Sequence, residues 1–281
     1  MTELELSAGE YEAGVAPALG GALTFLRQSG RDLLRPAASL DAIREDPRSA
    51  ASFVCVPYFG RLYGGLDFAG RHWDMAPTVP ACDPKSALHG EGWISPWTLE
   101  DGSPESVTLR LVHDGQAEGR FPFAYVAEQR IVLSEKGLSI VLTVTNAGDH
   151  PMPAAPALHP YFPRTPATRL TFSAKGFWTP PQGNAPGQAG PIPQALDFSN
   201  GGVLPETPLD HSYSGFGGTV LIETGTSRTT LSSDAPFLHV YAPKGEGFFC
   251  LEPLTGLPGA RELPILAKGD TARIQLNIAA A

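Results

Sequence analysis

The chain has 281 residues, 42% of them apolar and 17% charged, with a formal net charge of −9. The acidic balance lacks the cationic footprint of a nucleic-acid binder and gives no attraction to an anionic membrane. The charged share lies below the usual roughly 25%, which leaves little to solvate long helical faces. Glycine and proline, 31 and 28 residues, are together about a fifth of the chain, and because both break helices and mark turns they favour many short strands.

The start, Met1-Thr2-Glu3-Leu4-Glu5, is acidic and carries no apolar run of a signal peptide. No stretch reaches the roughly 18 apolar residues of a membrane-spanning helix, so a cytoplasmic protein is expected. Ala22 to Gln28 alternates Ala22, Thr24 and Leu26 against Leu23, Phe25 and Arg27. Asp41 to Ala51 is the single helical candidate, and Pro47 interrupts it. Ser52 to Val56 is a short strand candidate. In Val107 to His113, Val107, Leu109 and Leu111 share a face, and in Ser139 to Thr145, Ile140, Leu142 and Val144 do. Arg169 to Ser173, Thr219 to Thr224, Phe237 to Tyr241, Gly247 to Leu251 and Ala272 to Ile278 read the same way.

Strands separated by turns, without helical patterns between them, argue against parallel βαβ units and for an all-β, large antiparallel sandwich with few short helices. Thr179 to Pro208 is rich in Gly and Pro and weakly periodic, and reads as a long loop. Composition does not shift across it, so residues 1–281 are taken as one domain. The three cysteines, Cys55, Cys82 and Cys250, form no disulfide framework, which points to a reducing compartment. Cys55 and Cys250 lie in apolar runs and read as buried thiols.

Walker A, G-x-G-x-x-G, H-E-x-x-H and G-x-S-x-G patterns are all missing from the sequence. Four segments are hard to explain by folding alone. Pro57-Tyr58-Phe59-Gly60-Arg61 sets an arginine among aromatics and glycines, a donor fork beside ring walls or else a solvated turn. Leu88-His89-Gly90-Glu91-Gly92-Trp93 places a histidine beside a flexible turn. Leu158-His159-Pro160-Tyr161-Phe162 follows a proline-rich run, so His159 is presented from a stiff backbone. Phe248-Phe249-Cys250-Leu251-Glu252-Pro253 ends an apolar strand on a glutamate, and alternation puts Glu252 on the face of Phe248 and Cys250. A carboxylate among apolar residues has a raised pKa and poised basicity. Leu209-Asp210-His211-Ser212, at the exit of the long tract, is a weaker signal.

In order and spacing, Tyr58-Phe59-Gly60-Arg61, Leu88-His89-Gly90, Leu158-His159-Pro160-Tyr161-Phe162, Leu209-Asp210 and Leu251-Glu252-Pro253 resemble the motifs of the aldose 1-epimerases, or galactose mutarotases. The resemblance runs from about residue 15 to the end. It implies a β-sandwich of galactose mutarotase type, a supersandwich, in which Arg61, His89, His159, Asp210 and Glu252 meet around one sugar. It further implies anomer interconversion by acid–base ring opening, with Glu252 as base and His159 as acid. His89 would hydrogen-bond the ring oxygen or share the acid role, and Arg61 and Asp210 would orient hydroxyls. Near neutrality Glu252 would be ionised, by its reference pKa of about 4.3. Tyr58, Phe59, Tyr161, Phe162 and Trp93 would stack on the sugar or pack the core. No metal and no cofactor is required.

This sequence departs from the family pattern at Gly60, where an asparagine is common, so a side-chain amide near the sugar is missing. The expected partner is a neutral monosaccharide, with neither nucleic acid nor membrane, bound by a monomer or homodimer. Three other readings compete. A hexose-6-phosphate 1-epimerase would need cations for the phosphate, for which Arg71, Lys85 and Arg164 are candidates. A non-catalytic sugar-binding module could dispense with one member of the His159–Glu252 pair. A glycoside hydrolase would use Asp210 and Glu252 and leave the histidines unexplained.

Overall fold

The computed structural model describes residues 3–181, 183–184, 187–258 and 263–281. Residues 1 and 2 of the acidic start, and 182, 185 and 186 of the long tract, lie outside them. Among the described residues two large sheets dominate, one of eleven strands and one of nine, and every paired strand in them runs antiparallel to its neighbours. No helix of the described residues is long and apolar enough to cross a membrane.

Alternating sequences become strands because period-two apolar residues can all be buried on one pleated face. Ala22–Gln28, Ser106–His113, Gly137–Asn146, Thr219–Thr224, Phe237–Ala242, Phe248–Leu254 and Thr271–Ala280 are strands, as their patterns predict. Two strands that the sequence reading does not single out, Tyr11–Ala16 and Tyr125–Ser134, also contribute long ladders. The helical candidate is a single short helix, Leu40–Glu45, capped by the Ser39 side chain accepting from the Ala42 N–H. Pro47 then opens a separate 3-10 turn, Pro47–Ser49, capped by Asp46. Proline is tolerated there because a first-turn N–H has no helical partner anyway.

The long tract is less loop-like than its composition suggests. Ala189–Gly190 adds an edge strand to the larger sheet, Gln194–Leu196 forms a 3-10 turn, and Gly202–Val203 pairs at the edge of the smaller sheet.

Five adjacent strands of the larger sheet carry the rest of the argument: Ser52–Cys55, Ala157–Pro163, Phe248–Leu254, Phe237–Ala242 and Leu209–Ser214, in that spatial order. On each, alternate residues enter the main core. Val54, Leu158, Phe162, Phe249, Leu251, Leu238, Val240, Leu209 and Tyr213 face inward, against Ile274, Leu276 and Ile278 of the smaller sheet. The intervening residues face the other way. Phe53, Cys55, Ala157, Tyr161, Cys250 and Leu254 belong to a second cluster, closed by Ile43, Phe59, Leu88 and Trp93. His159, Glu252, His239 and Asp210 share that second face by the same alternation.

Candidate active site

The sheet itself brings His159 and Glu252 together. The His159 and Glu252 strands pair as Ala157 with Leu254 and as Tyr161 with Cys250. These two pairs share one register, which sets His159 across from Glu252. Between them the ladder lapses, at a place where Pro160 and Pro253 have no N–H to donate. The His159 ring stacks against Phe53, at 4.4 Å between centroids, and Tyr161, at 4.8 Å, two rings that also touch each other. Its Nε2 lies 3.4 Å from a Glu252 carboxylate oxygen.

Glu252 is fully buried, and neither carboxylate oxygen has a hydrogen-bond partner among the described residues. Burial, reinforced by the charge of Asp210, therefore pushes its pKa well above the usual carboxylate range. Burial likewise pulls His159 down to about 3, with the charge of His239 acting in the same direction. This corrects the expectation of an ionised Glu252 facing a charged His159. Both shifts favour the uncharged forms, imidazole and carboxylic acid, over the ion pair.

His89 closes one wall. It sits in the left-handed backbone region, φ 57°, followed by Gly90 at 65°. Its N–H donates to the Gly60 carbonyl at 2.8 Å, and the Gly60 N–H donates to His89 Nδ1 at 3.2 Å. With Nδ1 accepting, the neutral ring carries its hydrogen on Nε2, and burial holds the ring neutral. A Cβ on Gly90 would lie 2.1 Å from the Val56 carbonyl oxygen. Gly90→Ala is therefore expected to cost at least about 1–3 kcal/mol of stability, from the left-handed backbone alone, and to displace His89; chemical denaturation and the catalysed rate measure the two effects. Gly60, the departure from the family pattern, has φ 91°, and a Cβ there would come within 2.8 Å of Pro258. Pro258 thus fills the space an asparagine would need.

Arg61 lines the cleft from a short strand, Arg61–Tyr63, paired with Ser86–Leu88, and its Nε donates to Asp83 at 2.9 Å. Asp210 enters from the far side, half-exposed, and meets His239 Nε2 at 3.0 Å. His239 Nδ1 lies 2.8 Å from the Ser212 hydroxyl. Burial would raise Asp210, but the hydrogen bond and charge of His239, helped by Arg61, more than offset it and hold the carboxyl below its ordinary value. His239 is absent from the sequence reading. It sits in Phe237-Leu238-His239-Val240-Tyr241, an ordinary alternating strand with no turn, glycine or proline to mark it.

Arg61, His89, His159, Tyr161, Asp210, His239 and Glu252 all line one cleft of about 730 Å³, its open mouth included. Phe59 does too, whereas Tyr58, Phe162 and Trp93 are core residues. Tyr58 donates to the Ala87 carbonyl, Phe162 stacks on Phe249, and the Trp93 indole N–H donates to the Leu88 and Gly90 carbonyls beneath the His89 loop. The three cations considered for a phosphate do not gather here. Arg71 lies over the Trp73 ring at 4.9 Å, and Arg164 donates to the Pro205 and Pro243 carbonyls. The Lys85 backbone N–H binds Asp83, but Lys85 does not line the cleft.

A two-sheet supersandwich with a histidine–glutamate cleft on one sheet defines a galactose mutarotase-type protein, and the comparisons with known proteins agree. The chain belongs to the aldose 1-epimerase family, whose model matches residues 2–274. It is 28% identical to the uncharacterized Escherichia coli K12 protein YphB, over 99% of this chain and 98% of that one. Among solved structures, a provisionally assigned aldose 1-epimerase from Escherichia coli K12 superposes with a TM-score of 0.87 at 27% identity, covering 100% and 99% of the two chains. A GalM/aldose epimerase homologue from C. elegans gives 0.84 at 20% identity, covering 100% and 98%, a likeness that speaks for the fold alone.

Proposed function

We propose that the chain, acting as one domain, interconverts the α and β anomers of a free aldohexose. The observation that carries this reading is the buried His159–Glu252 pair, 3.4 Å apart, with both carboxylate oxygens unpartnered at the floor of the cleft.

Anomerisation needs the C1 hydroxyl proton removed and the ring oxygen protonated. Two forms of the pair hold the same single proton: imidazolium with carboxylate, and imidazole with carboxylic acid. From the first, Glu252 takes the C1 hydroxyl proton while His159 gives its proton to the ring oxygen. The bond from C1 to the ring oxygen breaks, C1 becomes an aldehyde, and the pair is left in the second form. After rotation about C1–C2, His159 takes the C5 hydroxyl proton as that oxygen attacks, and Glu252 returns a proton to the carbonyl oxygen. The first form is restored, and no covalent intermediate is formed.

Because burial favours the uncharged form, it favours ring opening. The neutral His89, its Nε2–H free of the Gly60 contact, donates a hydrogen bond to the ring oxygen. Arg61 and Asp210 orient hydroxyls, and Tyr161 and Phe59 cover the apolar face of the ring. His239 holds the Asp210 carboxylate, and the Ser212 hydroxyl at its Nδ1 orients the His239 ring. Ser212→Ala is accordingly expected to raise KM about 2- to 10-fold, the worth of one hydrogen bond, with little change in kcat, as steady-state mutarotation will read.

A panel of free and phosphorylated aldoses, followed by polarimetry or NMR exchange, tests the reading. Acceleration with free aldoses and no advantage for the 6-phosphates is expected, since the two cleft arginines, Arg48 and Arg61, are paired with Asp46 and Asp83. Selectivity for a phosphorylated sugar, or binding without acceleration, would overturn it.

A further inference from the structure

Cys250 takes no part in the proton transfers above, yet it lies fully buried beside both groups that do. It precedes Glu252 by two residues, so pleating sets both side chains on one face, and His159 stands on the neighbouring strand. One ligand atom from each of His159, Cys250 and Glu252 lies within 4.8 Å of the others, and all three residues are buried. Glu252 has no partner for either oxygen, and His159 Nδ1 has none either. We propose that this trio is a binding site for a soft divalent cation, Zn²⁺ or Cd²⁺, and that the cation excludes the sugar and blocks the active site.

The donor set is one that soft cations select, a thiolate and an imidazole with one carboxylate. Zinc–ligand lengths of roughly 2.0–2.3 Å place tetrahedral ligands about 3.3–3.8 Å apart. The carboxylate-to-imidazole distance of 3.4 Å already lies in that range. The widest separation in the trio needs to close by about 1 Å, which side-chain rotation of Glu252 and Cys250 can supply. The three donors come from one sheet face, so the fourth position points into the cleft, where water or a sugar oxygen would stand. Coordination displaces the Cys250 thiol proton, and the carboxyl proton when Glu252 holds it, to the buffer. Those two groups and His159 are then no longer free to exchange a proton with substrate. Exposed His72, whose Nδ1 faces Asp67 and whose Nε2 faces Asp74, is a histidine–carboxylate contact outside the cleft, and it serves as the internal control.

The competition with sugar rests on the function proposed above, whereas the binding itself does not. The whole chain, stripped with EDTA and dialysed, is titrated with CdCl₂. Binding is read by the ultraviolet cadmium–thiolate band and by equilibrium dialysis, with and without saturating glucose or galactose. The expected result is a thiolate band that saturates at one cation per chain, survives His72→Ala and disappears in Cys250→Ser. Sugar is expected to weaken cadmium binding at least about tenfold, and ZnCl₂ to slow mutarotation reversibly with EDTA. Cys250→Ser is expected to lose at least about tenfold in zinc sensitivity, each variant being compared with its own metal-free rate. If Cys250→Ser fails to fold, Glu252→Gln, read by cadmium binding alone, takes its place with the same expected loss. A missing thiolate band or a band that persists in Cys250→Ser overturns the site, and cation binding indifferent to a sugar that the chain turns over overturns the blocking of the active site. A chain that binds cadmium at Cys250 but accelerates no anomerisation overturns the proposed function instead, and leaves the cation site standing.

Discussion

Glu252→Gln slows catalysed mutarotation by roughly 10²- to 10⁴-fold, the usual worth of one well-placed acid–base group, while the thermal midpoint stays at or above that of the unaltered chain. The amide has the shape of the carboxyl but accepts no proton at C1. Its effect on folding is opposite in sign to that of most core changes. Glu252 is fully buried with both oxygens unpartnered, so ionising it is costly, and an uncharged isostere removes that liability. Polarimetry on freshly dissolved sugar measures the first effect, and circular dichroism with a thermal melt the second. A near-normal rate in this variant would remove Glu252 from the mechanism.

The second large effect is on pH dependence. An ordinary histidine acid would lose activity through its reference pKa of about 6.5. Here the pair carries one proton between them. It gains a second as pH falls through the His159 value of about 3, and loses the first only above the raised pKa of Glu252. The catalysed rate, corrected for buffer, is therefore expected to show no acid limb near 6.5 and to fall only as pH rises through the raised pKa of Glu252. An acid limb centred near 6.5 would show that His159 titrates as if exposed.

Stability follows from the same shifts. His159 binds its proton more weakly folded than unfolded, so its contribution is complete above 6.5 and is lost as pH falls towards 3. Glu252 binds its proton more tightly folded, so its contribution is complete below 4.5 and is lost as pH rises through its folded value.

The strands with strict alternation were legible, because a half-buried strand writes its two environments into consecutive residues. Ala22–Gln28 and Thr219–Thr224 have the bounds that their patterns predict. His159 and Glu252 were legible from the stiff proline context and the apolar strand end, sharpened by the family resemblance. The order of the larger sheet was not legible, because strands far apart in sequence lie side by side: Ser52–Cys55 pairs with Ala157–Pro163. His239 was hidden for that reason. Its presence in the cleft follows from its strand lying between those of Asp210 and Glu252. Trp93 misleads in the opposite sense, since an aromatic after a histidine–glycine turn reads equally as a sugar platform or, as here, the support beneath His89. The raised pKa of Glu252 follows from the apolar strand that its sequence shows, whereas the lowered pKa of His159 depends on a burial that no spacing in the sequence reports.

The division of each central strand into inward and outward residues also sets how this protein can change over time. On Ala157–Pro163 and Phe248–Leu254, Leu158, Phe162, Phe249 and Leu251 serve the fold, while His159, Tyr161 and Glu252 on the other face serve the cleft, with Cys250 buried beside them. Point substitutions can therefore rewrite the outward set for a different sugar with little disturbance to the inward set. Insertion or deletion of one residue in either strand would exchange the two sets, burying the chemistry and exposing the core at once. Descendants of this chain should diversify by substitution within these strands and by length change only in the loops around the cleft's mouth.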